Sequence, residues 1–168
     1  MEKEEIKKAY YGSRKKYAII IIIMAVLIAS YFLFPSSQQK PAIEKPLVEP
    51  GADINESHAE YLANEIGVYK LHPSVTGEQP EIELIVGGKI FAITLNNSMP
   101  LAAEGRAKSP DIRMTTDTQS IARAFTAKNM TQEIISLYKE GKIGIELLKD
   151  QATLFLKGYK DVYDALQV

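Results

Sequence analysis

Apolar and polar positions change their period several times along this 168-residue chain, and each change marks an element. Tyr17 to Phe34 reads YAIIIIIMAVLIASYFLF, an apolar run without a charge. From Glu56 to Tyr69 the apolar residues Ala59, Leu62, Ala63, Ile66 and Tyr69 recur at the spacing of one helix face. Glu81–Val86 and Lys89–Leu95 are strand-like runs on either side of Gly87-Gly88. Two glycines tolerate the positive φ of a primed turn, so the pattern predicts a tight hairpin, ended by Asn96-Asn97 and Pro100. Ile112–Thr115 reads as a short strand. It leads into Thr116-Asp-Thr-Gln119, a capping-box sequence opening a helix with Ile121, Ala122 and Phe125 on one side. Asn129-Met-Thr-Gln132 repeats that logic before Ile134, Ile135, Leu137 and Tyr138, with Gly141 as the C-cap. Ile143–Leu148 and Ala152–Leu156 are expected to pair as a second hairpin across Lys149–Gln151, and Lys160–Leu166 to form a last helix. This order predicts an α+β fold, a mainly antiparallel sheet with helices on one face.

The apolar run at 17–34 calls for a different solvent. Its eighteen residues, as a helix, rise ~27 Å, close to the ~30 Å hydrocarbon core of a bilayer. Tyr17, Tyr31, Phe32 and Phe34 sit near its ends, where aromatic rings favour the membrane interface, and Pro35 stops it. A buried core helix rarely carries a basic cluster on one side and a proline-rich segment on the other. A cleaved signal peptide would have a shorter apolar stretch and small residues at its exit, where this chain has Tyr31-Phe32-Leu33-Phe34-Pro35. A pilin-type precursor would place its processing glycine beside the run, but Gly12 is separated from it by Ser13–Lys16. An uncleaved single-pass anchor is therefore the expectation.

Charge sets its direction. Six Lys/Arg (Lys3, Lys7, Lys8, Arg14, Lys15, Lys16) precede the run, against Lys40 and Lys45 between Pro35 and Gly51. The positive-inside rule puts residues 1–16 in the cytoplasm as a basic tail, 17–34 across the cell membrane, and the remainder outside. Residues 35–54, with four prolines in PSSQQKPAIEKPLVEPGAD, read as an extended linker, and 55–168 as an extracytoplasmic domain. From Ala52 onward twelve Lys/Arg face sixteen Asp/Glu, a solvated, mildly acidic surface with nothing that argues for nucleic acid. The chain has no cysteine, which excludes disulfides, thiolate nucleophiles and Cys-ligated metals.

No constellation of catalytic residues stands out, and no cofactor or metal is expected. The two histidines, His58 and His72, lack metal-ligand spacing, and one beside a helix start or a proline is more often a capping or surface group. Gly87-Gly88 is a turn signal rather than a phosphate cradle, and no serine sits in a nucleophile elbow. Asn55-Glu-Ser57, Asn96-Asn-Ser98 and Asn129-Met-Thr131 are N-glycosylation sequons, and all three fall on the outer side of the expected topology. Turn and cap chemistry uses the same residue types, so Asn55, Asn96 and Asn129 have a structural explanation as well.

From Glu81 onward the order of elements resembles the sterol carrier protein 2 family of lipid-binding domains. The resemblance rests on four features: the glycine-turn hairpin Ile82–Leu95, the strand Pro110–Thr116 opening into a helix, a second helix, and the segment Tyr138-Lys-Glu-Gly-Lys-Ile-Gly-Ile-Glu146. It implies helices over a curved sheet and an apolar tunnel for acyl chains. Phe91, Ile93, Phe125, Ile134, Leu137, Val162 and Leu166 are the implied lining, and ordinary core packing is the competing account of all seven. The chain departs from the family in its short, polar last helix and in the extra strand expected at Ala152–Leu156. The functional expectation is a membrane-anchored, non-enzymatic domain binding a lipid or other apolar ligand. The competing expectation is an envelope protein whose outer domain docks on a partner protein.

Overall fold

The computed structural model describes residues 39–48 and 53–166. The basic tail and the span expected at Tyr17–Phe34 lie outside the described residues. Among those described, no helix is long and apolar enough to cross a membrane.

Helix α1 (Glu56–Glu65) starts at Asn55, whose side chain accepts the backbone N–H of His58. His58 answers it, its Nδ1 accepting the Asn55 backbone N–H at 3.3 Å. A 3₁₀ turn at Val68–Lys70 follows. Strands β1 (Ile82–Val86), β2 (Lys89–Asn96) and β3 (Met99–Glu104) form an antiparallel meander. The chain then crosses back to lay β4 (Ile112–Thr116) parallel to β1. Helices α2 (Thr118–Thr126) and α3 (Met130–Lys139) lead to β5 (Gly144–Leu147), which pairs antiparallel with β4. Two short helices, α4 (Gln151–Leu156) and α5 (Tyr159–Leu166), complete the domain. The fold is α+β on a mixed five-stranded sheet of order β3-β2-β1-β4-β5.

Alternation along the strands divides the sheet into two faces. Ile82, Leu84, Phe91, Ile93, Ile112 and Met114 share one register and are buried. They join Leu62, Phe125, Ile134, Leu137 and Val162 of the helices in a single apolar cluster. The opposite face is polar at its centre. Glu83 of β1 is buried there and pairs with Arg113 of β4 at 2.7 Å, and Arg113 reaches Glu146 of β5 at 2.7 Å.

Three elements differ from the sequence expectation. Strand β3 was not foreseen, because Pro100 reads as a breaker. An edge strand tolerates proline, whose missing N–H leaves no ladder bond broken, and the edge is partly covered by Glu60 of α1, which accepts the Ala102 N–H at 3.1 Å. The cap of α2 lies one residue later than expected: Asp117, not Thr116, accepts the Ser120 N–H, at 2.7 Å. Ala152–Leu156, expected as a strand, is the helix α4, nucleated by Asp150 accepting the Thr153 N–H at 3.0 Å.

Residues 39–48 have no regular secondary structure, yet they lie along α1. The Asn64 amide donates to the Pro41 carbonyl at 3.0 Å, Lys40 pairs with Glu65 at 2.7 Å, and His58 Nε2 donates to the Leu47 carbonyl at 3.2 Å. Val48 packs against the core. Part of the proline-rich segment thus forms a strap on the domain.

Candidate functional site

Strand β5 ends at Leu147, Asp150 caps α4, and the chain reverses at Gly158 (φ +84) to begin α5 with Tyr159. A Cβ at Gly158 would stand 3.2 Å from the His72 imidazole, so both the turn and the close approach require glycine. The helical period then places Leu154 and Lys157 inward and Phe155 and Leu156 outward. This inverts the ordinary pattern: the ammonium is buried and the two large apolar side chains are not.

Burial of Lys157 is made tolerable by a fully engaged polar network. Its Nζ donates to Asp111 Oδ1 at 2.7 Å and to the Gln79 carbonyl at 3.0 Å. Asp111 Oδ2 accepts the Tyr159 hydroxyl at 3.0 Å and the Glu81 N–H at 3.0 Å. Its backbone carbonyl accepts from Leu148 and Lys149. Desolvation first, and the Asp111 charge second, push the Tyr159 hydroxyl far above its ordinary pKa and keep it a neutral donor. With each oxygen of Asp111 occupied, the cluster acts as a clamp. It joins the starts of β1 and β4 to the end of β5 and to the α4–α5 corner.

Tyr159 belongs to a second feature as well. Leu147, Leu154, Phe155, Tyr159 and Tyr163, with Gln151 and Lys160 at the rim, line an open groove of about 230 Å³. Phe155 is 64% exposed and Leu147 44%, both in the groove lining, and Leu156, next along the helix, is 45% exposed; the other exposed apolar side chains, Leu47, Val75, Met99 and Leu101, do not line the groove. The rim cation is satisfied, since Lys160 pairs with Asp164 one turn on. The Tyr163 hydroxyl is buried without a hydrogen-bond partner, and burial, with the neighbouring Tyr138, raises its pKa. The groove exceeds the ~150 Å³ of an apolar cavity that holds benzene. It is smaller than the ~300–1,000 Å³ of typical ligand pockets, so it fits the end of a chain or a single ring.

The seven residues implied as tunnel lining (Phe91, Ile93, Phe125, Ile134, Leu137, Val162 and Leu166) are all buried members of the common core. None of them lines this groove or the polar cleft described below. The sequon residues are exposed: Asn55 and Asn129 cap α1 and α3 through Oδ1, and Asn96 closes β2. Sequence reasoning missed Asp111, Lys157 and Tyr159, whose polarity suggested surface. It also missed Phe155-Leu156, which the strand assignment placed half inside.

No family model matches the chain. No curated protein matches it either. Among solved structures the chain is similar over 51% of its length to one described as "UbiJ-SCP2 Ubiquinone synthesis protein", at 10% identity and a TM-score of 0.33, spanning 70% of that chain. Two structures of a sec-alkyl sulfatase, PisA1, are also similar. One is a double mutant, at 12% identity and a TM-score of 0.34, over 46% of this chain and 12% of that one. The other is described as the stereoselective inverting sec-alkylsulfatase from Pseudomonas sp., at 10% identity and a TM-score of 0.33, over 62% of this chain and 14% of that one. At these TM-scores none of the three bears on function.

Proposed function

We propose that the chain is a single-pass, non-enzymatic membrane protein, N-terminus in the cytoplasm, whose outer domain takes the apolar tail of a membrane lipid in the groove between β5, α4 and α5. The observation that carries this reading is the inverted face of α4, with Phe155 and Leu156 exposed beside a groove floored by Tyr159. Phe155 and Leu147 line the groove while remaining exposed, so an apolar occupant there would cover them.

A lipid as that occupant rests on the expected anchor. From Phe34, the end of the expected span, to Lys40, which among the described residues pairs with Glu65 of the domain, is a step of six residues. Fully extended, such a segment reaches at most about 20 Å, so an anchored chain would hold Lys40 within that distance of the span's end.

Residues 39–168 contain the whole described core, and they can be offered a mixed lipid extract and examined by native mass spectrometry. A retained lipid that Phe155→Asp removes, with the circular dichroism spectrum unchanged, is the expected result. The competing reading, docking on an envelope protein, draws on the small groove volume, which suits one inserted side chain. It gains if the folded domain retains no lipid while the full chain co-purifies with one partner at fixed stoichiometry and Phe155→Asp abolishes that.

A further inference from the structure

Away from the groove, a larger cleft of about 360 Å³ opens between the segment after the 3₁₀ turn and the β2–β3 turn. Its polar lining comes from His72, Gln79, Asn96, Asn97 and Ser98, with Leu71, Pro73 and Leu95 supplying apolar surface. No lining residue is a carboxylate, an ammonium or a guanidinium, so the cleft favours neither an anion nor a cation. Amides, a hydroxyl and an imidazole each donate and accept. Vicinal hydroxyls, which also do both, are their natural complement, and the apolar lining suits the C–H face of a pyranose ring. His72 is held in the wall of the cleft, its Nδ1 donating to the Pro73 carbonyl at 3.1 Å and its Nε2 side lying against Gly158.

The β2–β3 turn supplies a second, independent observation. Asn97 (φ 48) and Ser98 (φ 64) both occupy the left-handed region, where a two-residue hairpin normally carries Asn-Gly. Serine at the second position pays conformational strain that glycine would relieve, in a turn that needs no hydroxyl for its own geometry. Strain retained at the mouth of a polar cleft points to use of the side chain.

We propose that this cleft binds a neutral saccharide. Two sources supply that chemistry: a free or envelope saccharide, and a glycan carried on the chain's own Asn96, the first residue of the Asn96-Asn97-Ser98 sequon.

The test uses the full chain in a detergent without a sugar headgroup, titrated with chitobiose, maltose and, as a charged control, glucuronate. The chain has two histidines, so NMR of the imidazoles reads His72 directly, with the buried His58 as internal reference. A neutral sugar that shifts His72 and leaves His58 unmoved supports the proposal, with the free saccharide as source. The variant Asn97→Gly with Ser98→Gly keeps a turn that glycine favours. It should unfold at the same or a higher temperature and bind at least ~10-fold more weakly, having lost hydrogen-bonding side chains. For the second source, the chain is made in a glycosylating host and weighed intact. A glycan on Asn96 whose enzymatic removal shifts His72 supports the proposal, with the chain's own glycan as ligand. The proposal is overturned if neither sugar nor deglycosylation moves His72, or if the double-glycine variant binds as tightly as the parent.

Discussion

Lys157 and Asp111 have surrendered their hydration to the interior, and each is tolerable only while the other is present. Replacing such a pair together is often neutral, whereas breaking it strands a buried charge. Lys157→Met alone should therefore cost about 3–5 kcal/mol in urea unfolding. Combining it with Asp111→Asn should recover part of that loss, since the amide needs no counter-charge. A single variant as stable as the parent would contradict the clamp. Tyr159 adds an alkaline limit. Its hydroxyl titrates higher in the folded chain than its ordinary value of 10.0, so the stability it contributes is complete below pH 10 and is lost as pH rises beyond it. Tyr159→Phe should flatten that alkaline fall. At the acid end, hydrogen bonds from Arg123 and then Ser136 hold the Glu140 carboxyl at about 2, against 4.5 ordinarily. Its contribution is present above pH 4.5 and is lost as pH falls towards 2. Glu140→Gln should reduce the drop in melting temperature across that window. Because the pair is exposed, the difference should shrink in 1 M salt, where the Debye length is ~3 Å.

Among the elements, the β1–β2 turn isolates what a glycine contributes. Gly87 and Gly88 both have positive φ (56° and 94°), but a Cβ on Gly87 would overlap Thr118 Oγ1, while one on Gly88 meets nothing within 4 Å. Gly88→Ala should cost only left-handed strain, about 1–2 kcal/mol. Gly87→Ala should cost clearly more in thermal unfolding, and adding Thr118→Ala should bring the two into line. Long periodic elements were legible in the sequence: α1, the β1–β2 hairpin, α2 and α3 all carry caps or glycine turns beside an amphipathic run. The elements that were not legible failed for physical reasons. Strand β3 hides behind Pro100 because edge position overrides local propensity, and α4 is a six-residue apolar run whose length cannot separate helix from strand. The parallel β1–β4 pairing is a tertiary choice with no local signature.

At the scale of the molecule, the site was less legible than the fold. Phe91, Ile93, Phe125, Ile134, Leu137, Val162 and Leu166 were implied as tunnel lining by resemblance, but side chains that line a tunnel and side chains that fill a core carry the same sequence signature. All seven are buried in the core here. The apolar residues that line the groove and stay exposed are instead Leu147 and Phe155, and the usable clue was the Phe-Leu pair just before Lys157. The proposed occupant of this groove is a lipid tail, taken beside a membrane that would anchor the chain. The most direct test is photo-crosslinking of the full chain in nanodiscs with a phospholipid bearing a diazirine near its acyl terminus, the adducts mapped by peptide mass spectrometry. The account predicts adducts on peptides containing Leu147, Phe155 or Tyr163, lost in Phe155→Asp. Adducts confined to residues 17–34, with the groove peptides unlabelled in both proteins, would contradict it.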